Sequence, residues 1–136
     1  MKAMILAAGR GNRMGSLTQD SPKPLLKVKG KCLIDWHLHK LSEAGFRDIV
    51  INVSYLSEKI IQYVGDGSKW HLNITISNES VALETAGGIK KAITYLGSEP
   101  FVVINADIFC ISGPIDTFSK SIAAATKIET NSPFLL

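Results

Sequence analysis

Three features that often reveal the class of a protein are missing here: a cluster of basic residues, a long apolar segment and cysteines at metal-ligand spacing. The formal net charge is only +3 and the basic residues are scattered, which argues against a nucleic-acid partner. The apolar run Ala3–Ala8 is too short for the core of a signal peptide or for a membrane span. Two cysteines without metal spacing, Cys32 and Cys110, are typical of a reduced protein. We therefore expect a cytoplasmic protein that binds neither nucleic acid nor a membrane.

The remaining composition favours one globular domain. Hydrophobic residues make up 46% of the 136 residues and charged residues 20%, a balance typical of globular rather than disordered chains. A chain of this length fits one domain of ordinary size. It can bury about two-thirds of its unfolded surface, which is enough for a real core.

Short apolar segments alternate along the chain with segments of helical periodicity. The apolar segments predict buried strands at Lys2–Ala8, Asp48–Val53, Asn73–Ser77 and Phe101–Asn105. The periodic segments predict helices at Leu33–Ala44, Ser57–Val64, Thr85–Leu96 and Ile115–Ala125. The alternation predicts an α/β fold, a Rossmann-like three-layer sandwich with a mostly parallel sheet. Such sheets bind ligands beyond the carboxyl ends of their strands, so Gly9–Arg13 and Asn105–Asp107 are expected on one edge.

The glycine-containing segment Gly9–Arg13 follows the first predicted strand and is the first candidate site. Glycines let the backbone approach a phosphate closely and point its N–H groups at it. The small Ala8 leaves space for a flat base, and the guanidinium of Arg13 offers a fork of donors to phosphate oxygens. A plain turn is the alternative interpretation of a Gly-x-Gly loop. The segment is not a P-loop, because no Gly-Lys-Ser/Thr follows it, and it lacks the third glycine of the dinucleotide fingerprint.

Lys23 and Asp107 are the other two candidates. Pro22 and Pro24 fix the backbone on either side of Lys23, which suits a positive charge aimed at a phosphate. The alternative is a rigid surface turn with a solvated lysine. Asp107 follows a buried strand, where a carboxylate can hold Mg²⁺ together with phosphates and waters. The alternative for Asp107 is a turn-forming residue.

In order and spacing, these segments resemble the motifs of the sugar nucleotidyltransferase family. The resemblance covers roughly residues 1–108 and rests on Leu6–Met14, Pro22–Leu25 and Asp107 after its strand. A narrower similarity, to members of the family that use N-acetylmuramate-1-phosphate or mannose-1-phosphate, rests on three further features: Asn52, Gly65–Ser68 and Leu83–Ile89.

The resemblance implies a fold of the nucleotide-diphospho-sugar transferase type and a defined reaction. An oxygen of a sugar-1-phosphate would attack the α-phosphorus of a nucleoside triphosphate, and pyrophosphate would leave. Such a transfer depends mostly on positioning and on neutralisation of charge. The partners would therefore be a nucleoside triphosphate and a sugar-1-phosphate, with Mg²⁺ as the cofactor.

The resemblance also implies a role for each candidate residue. Arg13, Lys23 and Asp107 would be catalytic, with Asp107 as the metal ligand. The nucleotide-binding set would comprise Ala8, Gly9, Gly11, Asn12, Arg13, Lys23, Glu79 and Asn105. The triphosphate would lie among Gly11, Asn12, Arg13 and Lys23, and the nucleoside beside Asn105. The base would lie against Ala8 and Gly9, with Glu79 and the segment Leu83–Thr85 near its edge.

Members of this family are longer than 136 residues, and their second half supplies most of the sugar site and a second metal-binding aspartate. The tail Ile128–Leu136 matches no segment of the family. We therefore expect a nucleotide-binding domain at residues 1–125 whose C-terminal part is missing, and an atypical tail at residues 126–136. A sheet that stops early exposes an unpaired edge, which is a route to self-association.

Several functional hypotheses stay open on the sequence alone. The first is an active nucleotidyltransferase, with UTP as the favoured donor and with GTP and mannose-1-phosphate as the alternative substrate pair. The second is a remnant that binds a nucleotide without turnover. The third is a chain that needs a second polypeptide to complete its site.

Overall fold

The structure is a computed structural model that describes residues 1–9, 20–83 and 85–106. Its strands are β1 (Lys2–Leu6), β2 (Lys27–Val28), β3 (Lys31–Cys32), β4 (Asp48–Val53), β5 (Asn73–Asn78) and β6 (Phe101–Asn105). Its α-helices are α1 (Leu33–Glu43), α2 (Ser57–Val64) and α3 (Thr85–Leu96). Two single turns of 3-10 helix cover Lys23–Leu25 and Ser68–Trp70.

Four strands form one parallel sheet in the order β5-β4-β1-β6. The inner strands β1 and β4 carry apolar side chains on both faces, as strands of a covered parallel sheet do. β2 and β3 form a separate antiparallel hairpin. The parallel sheet predicted from the sequence is therefore confirmed for the described part of the chain.

Helices cover both faces of this sheet. One core joins alternate residues of β1 and β4 to helices α1 and α2, through Ala3, Ile5, Ile49, Ile51, Leu38 and Ile60. The second core joins the intervening residues to α3, through Met4, Val50, Ala92 and Leu96. Because successive side chains of a strand point to opposite faces, these two cores lie on opposite sides of the sheet. The predicted three-layer sandwich is confirmed.

Most predicted boundaries hold within a residue or two. The bounds of α2, α3, β4 and β6 are those predicted, and α1 ends one residue earlier. β1 ends at Leu6 rather than Ala8, because the N–H of Ala7 donates to a side chain instead of a neighbouring strand. The hairpin of β2 and β3 was not predicted. The predicted helix at 115–125 and the tail at 126–136 lie outside the described residues.

Helix α1 ends in a glycine cap that directs the chain into β4. The N–H of Gly45 donates to the carbonyl of Ser42 at 3.1 Å, and the N–H of Phe46 donates to that of Leu41 at 3.0 Å. This pairing is the Schellman motif, which needs a left-handed residue, and Gly45 has a φ of +94°. Phe46 then packs in the same core as Leu41.

A group of polar side chains, the flank cluster of Asp35, Tyr63, Lys69 and Trp70, ties α1 to α2 and to the 3-10 turn Ser68–Trp70. The carboxylate of Asp35 accepts hydrogen bonds from Trp70 Nε1 at 2.7 Å and from the Tyr63 hydroxyl at 2.9 Å. Burial opposes ionisation of Asp35, but these hydrogen bonds and the nearby lysines outweigh it and lower its pKa. Burial and the hydrogen bond to Asp35 raise the pKa of Tyr63. The cluster therefore holds a carboxylate and a neutral phenol at neutral pH.

No helix within residues 1–9, 20–83 and 85–106 combines the length and the apolar character that a membrane span requires.

Candidate functional site

Three predicted site segments meet at the carboxyl edge of the sheet. Ala8 and Gly9 follow β1, and Asn105 ends β6 beside it, because Leu6 and Asn105 are partners in the parallel register. The chain after β6 stays against β1, since the N–H of Ala106 donates to the carbonyl of Leu6 at 3.0 Å. Glu79 follows β5 at the same edge, where its N–H donates to the carbonyl of Val53 at 2.8 Å. The prediction that strand ends converge on one rim is thus confirmed for these described segments.

Neither packing nor backbone conformation among the described residues requires glycine at position 9 of this rim. A Cβ built on Gly9 would meet nothing within 4 Å among the described residues, and its φ is not positive. Ala8 behind it is buried. Gly9 is exposed, so its small size fits the close approach of a ligand better than it fits packing.

A buried chain of hydrogen bonds, here called the rim network, joins the ends of β1, β4 and β5. The N–H of Ala7 donates to Asn52 Oδ1 at 2.8 Å, and Asn52 Nδ2 donates to Glu79 Oε1 at 3.0 Å. The other carboxylate oxygen, Glu79 Oε2, accepts the N–H of Leu83 at 2.9 Å. Only 3% of Asn52 and 2% of Glu79 is exposed, so the network is shielded from water.

The donors at the two ends of the rim network fix its direction. Ala7 and Leu83 contribute backbone N–H groups, which can only donate. Asn52 must therefore turn its oxygen toward Ala7 and its amide nitrogen toward Glu79, and Glu79 must accept at both oxygens. The predicted contact between Glu79 and the edge of a base stays a prediction, but its carboxylate already organises the loop that follows β5.

Helix α3 passes close beneath this network because of two glycines. A Cβ on Gly88 would lie 2.7 Å from Asn52 Nδ2 and 3.0 Å from Glu79 Oε1, both closer than such atoms ordinarily pack. A Cβ on Gly87 would lie 3.1 Å from the Cβ of Leu83. The pair Gly87-Gly88 thus lets a helix lie directly against the polar network and the loop above it.

The loop held by Glu79 presents apolar side chains to solvent. Val81 is 75% exposed and Leu83 is 45% exposed. Both are large hydrophobic residues at the rim, next to the strand ends that carry the predicted nucleotide-binding residues. Exposed apolar side chains beside convergent polar groups are typical of a ligand site.

Lys23 lies in the 3-10 turn Lys23–Leu25, which packs against α1. The flanking Pro22 and Pro24 are buried, and the turn closes through the N–H of Leu25, which donates to the carbonyl of Pro22 at 2.9 Å. Helix α1 itself reaches the rim, because His37 Nε2 lies 3.3 Å from the carbonyl oxygen of Ala106. The interpretation that the prolines hold the backbone of Lys23 in place agrees with this structure.

Comparison with known proteins identifies the family to which this architecture belongs. A family model described as "Nucleotidyl transferase" matches residues 2–134. The chain belongs to the nucleotidyl transferase family. As a member of this family, it is 56% identical over 109 residues to an N-acetylmuramate alpha-1-phosphate uridylyltransferase of Neisseria meningitidis, an alignment covering 79% of this chain and 47% of that protein.

Two further relatives show the breadth of the nucleotidyl transferase family. A mannose-1-phosphate guanyltransferase of Neurospora crassa is 42% identical over 113 residues, covering 81% of this chain and 31% of that protein. The crystal structure of HddC from Yersinia pseudotuberculosis complexed with GMP-PN is similar with a TM-score of 0.74 and 30% identity, over 88% of this chain and 53% of that one. The chain spans less than half of the length of both curated relatives.

Part of the predicted site lies outside the described residues, namely Gly11, Asn12, Arg13 and Asp107. The described part of the chain contains no group of three or more potential metal ligands. Mg²⁺ therefore stays a prediction that rests on the carboxylate of Asp107.

Asn52 is a site residue whose role the sequence interpretation missed, although the residue itself belonged to the narrower resemblance. The available signal was an amide within the otherwise apolar run Ile49–Val53 of β4. A buried polar side chain in such a strand needs a partner. That partner, Glu79, is 27 residues away in sequence.

Proposed function

We propose that this chain binds a nucleoside triphosphate at the carboxyl edge of its sheet and serves the transfer of the nucleotidyl group to a sugar-1-phosphate. The observation that carries the proposal is the convergence of Ala8, Gly9, Glu79 and Asn105 on one rim, in a chain of the nucleotidyl transferase family. The base would lie between the backbone at Ala8–Gly9 and the loop that ends at Leu83.

The reaction requires little covalent participation by the protein. An oxygen of the sugar phosphate forms a bond to the α-phosphorus, and the bond from the α-phosphorus to the bridging oxygen of the β-phosphate breaks. Pyrophosphate then leaves with the electron pair of that bond. Arg13 and Lys23 would offset negative charge on the triphosphate and on the leaving group. Asp107 would hold Mg²⁺, which adds positive charge beside the phosphates when it is bound.

UTP with N-acetylmuramate-1-phosphate is the favoured substrate pair, and GTP with mannose-1-phosphate is the second candidate. The first is supported by the 56% identity to a uridylyltransferase of this type, and the second by the 42% identity to a guanyltransferase. A cytoplasmic location stays a prediction.

A thermal unfolding screen tests nucleotide binding directly. ATP, GTP, CTP, UTP and dTTP are each added with Mg²⁺, and UTP is expected to raise the melting temperature most. A ligand at 100 times its dissociation constant stabilises the native state by about 2.7 kcal/mol. No shift with any of the five nucleotides would refute the proposed function.

A variant and a turnover assay complete the test. Lys23→Met should weaken UTP binding by about tenfold or more, since a hydrogen bond to a charged group contributes roughly 1.5–3 kcal/mol. Lys27→Met, on the exposed face of the hairpin, is the control and should bind normally. Pyrophosphate release with UTP, Mg²⁺ and a sugar-1-phosphate would support transfer, whereas binding without release would reduce the function to nucleotide binding.

A further inference from the structure

We propose that Asn52 is a positioning residue that sets the width of the pocket for the base. Asn52 does not contact the ligand. It links the end of β1 to the loop that runs from the end of β5 to Leu83. This inference rests on the proposed function, because it assigns a role in that same nucleotide site.

The rim network connects the backbone on the two sides of the proposed base site. One amide group contacts the backbone at Ala7 through its oxygen and the carboxylate of Glu79 through its nitrogen, at 2.8 and 3.0 Å. Glu79 in turn accepts a hydrogen bond from the N–H of Leu83 at 2.9 Å. The backbone directly before Ala8 and Gly9 is thereby joined to the backbone of the loop on the opposite side.

The groups that the rim network holds lie at the proposed site for the base. Ala7 immediately precedes the backbone proposed to lie against the base. Leu83 has its N–H held by Glu79 while 45% of its surface stays open to solvent. The network therefore fixes two walls of one site and leaves their outer surfaces available to a ligand.

The stability of the fold alone gives a weak reason for a buried amide and a buried carboxylate at positions 52 and 79. A buried amide and a buried carboxylate lose their hydration, and apolar side chains of similar size often stabilise a core as well or better. The neighbours of Asn52 on β4 are indeed apolar and buried. Gly88 additionally leaves the space that the pair occupies. A role in shaping the site explains these features together.

The fixed direction of the network permits a sharp experiment. Asn52→Asp places a carboxylate oxygen against Glu79 Oε1 and removes the amide proton that joined the two groups, so the pair must either repel or take up a proton. Glu79→Gln forces an amide nitrogen to face either Asn52 Nδ2 or the N–H of Leu83, both of which are donors.

The double variant N52D/E79Q should restore a complete network with the amide and the carboxylate exchanged. The carboxylate introduced at position 52 accepts from the N–H of Ala7 and from the amide introduced at position 79. The oxygen of that new amide accepts from the N–H of Leu83. The exchange also restores the net charge of the wild type.

Binding is measured by titration calorimetry with two probes, UTP and inorganic triphosphate, each with Mg²⁺. All proteins are compared at least about 15 °C below their own melting temperatures, so that unfolded protein does not contribute. Asn73→Asp, which changes an exposed amide at the start of β5 with a long side-chain hydrogen bond of 3.4 Å to Asp48, is the matched control.

The expected result is a loss confined to the base. Each single variant should bind UTP about tenfold more weakly or worse, as expected when a buried polar contact is left unmade. Its affinity for inorganic triphosphate should change less than about twofold, because the phosphate-binding residues are untouched. The double variant should recover most of the affinity for UTP, and N73D should equal the wild type.

Three outcomes would overturn the inference. Folded single variants that bind UTP like the wild type would show that the network does not shape the site. Equal losses for both probes would indicate a merely structural role. A double variant no better than the single variants, or unfolded like them, would show that the direction of the network is irrelevant. A wild type that binds neither probe nor any nucleotide would instead contradict the proposed function itself.

Discussion

Two carboxylates in this molecule, Glu79 and Asp35, use the same means to join separate elements. Each accepts two hydrogen bonds at distances of 2.7 to 3.0 Å. Glu79 joins β4 to the loop after β5 at the rim, whereas Asp35 joins α1 to Tyr63 of α2 and to Trp70 on the flank. The two clusters differ in the freedom of their donors.

The flank cluster contains one donor that can reverse its role, and the rim network contains none. The hydroxyl of Tyr63 can donate or accept, and the thiol of Cys32 lies beside it as a further hydrogen-bonding group. In the rim network, Asn52 lies between a backbone N–H and a carboxylate, so its orientation is determined. The difference suggests that the flank cluster tolerates chemical change and the rim network does not.

The largest expected effect is the difference in stability between two exchanges of amide and carboxylate, one in the rim network and one in the flank cluster. Asn52→Asp should lower the free energy of unfolding by at least about 3 kcal/mol, because it buries a second carboxylate without a counter-charge. Asp35→Asn should cost about 1 kcal/mol or less, since the amide introduced at position 35 can accept from Trp70 and donate to Tyr63. Urea unfolding of both variants measures the difference.

Asn73→Asp and the double variant N52D/E79Q serve as references for this pair. The former changes an exposed amide that donates to Asp48 at 3.4 Å, and it should cost about 1 kcal/mol or less because exposed charges interact weakly. The latter should regain much of what N52D loses. Equal losses in N52D and D35N would contradict the contrast between fixed and reversible donors.

A smaller effect is expected from the glycines beneath the rim network. Gly88→Ala should destabilise by about 2 kcal/mol, because its methyl group would press on Asn52 and Glu79, which cannot move without breaking hydrogen bonds. Gly87→Ala is the neighbouring control. It meets only the side chain of Leu83, and its gain in helix propensity of up to about 1 kcal/mol offsets that contact. Thermal unfolding with the two variants side by side would decide; a G88A protein as stable as G87A would show that the network yields easily.

The smallest effect concerns the acid dependence of the flank cluster. Burial alone would raise the pKa of Asp35, but hydrogen bonds from Trp70 and Tyr63 and the charges of the nearby lysines together lower it. The ionised form of Asp35 therefore stabilises the fold above its unfolded pKa of about 3.9. That contribution is lost as the pH falls through the lower folded pKa. The difference in unfolding free energy between wild type and D35N should therefore be constant near neutral pH and shrink below about pH 4.

Urea unfolding at a series of pH values checks this prediction. The pKa of Asp66 is also lowered, by the backbone N–H of Ser68, but Asp66 is present in both proteins and cancels in the difference. A gap between wild type and D35N that widens toward acid would contradict the assignment of Asp35 as an ionised acceptor.

Much of the fold followed from local patterns in the sequence. Helix α1 was predictable because Ile34, Leu38 and Leu41 recur at helical spacing and Gly45 follows as a cap, and β4 because it is continuously apolar. The hairpin of β2 and β3 was not predicted, because each strand has only two residues and its turn is Lys29-Gly30 rather than Asn-Gly. Two-residue strands are too short to show an alternating pattern.

The candidate site was less accessible than the fold. The sequence indicated Gly9 and Asn105 because each directly follows or ends a strand, and parallel topology then places them together. The role of Asn52 was not accessible, since its partners Ala7 and Glu79 lie 45 and 27 residues away in sequence. The end of β1 was misplaced for the same reason, because the side chain of Asn52 replaces the strand partner of Ala7.

The outer strand β5 has backbone groups that face away from β4. The amides of a strand point alternately to its two sides, and the N–H of Asn73 donates to Arg47 on the β4 side. The N–H of Ile74 therefore points outward, where the carbonyl of Asp66 accepts it at 3.0 Å.

Both ends of this outer row are thus occupied, since Lys91 Nζ donates to the carbonyl of Asn78 at the far end. Between these two contacts lie the outward-facing backbone groups of Ile76, the carbonyl of Ile74 and the N–H of Asn78. Cross-β stacking uses segments of about six residues, so an incoming strand would meet a contact at each end of this border. The contacts of Asp66 and Lys91 thus protect the two ends of this edge strand against pairing with a strand of another chain.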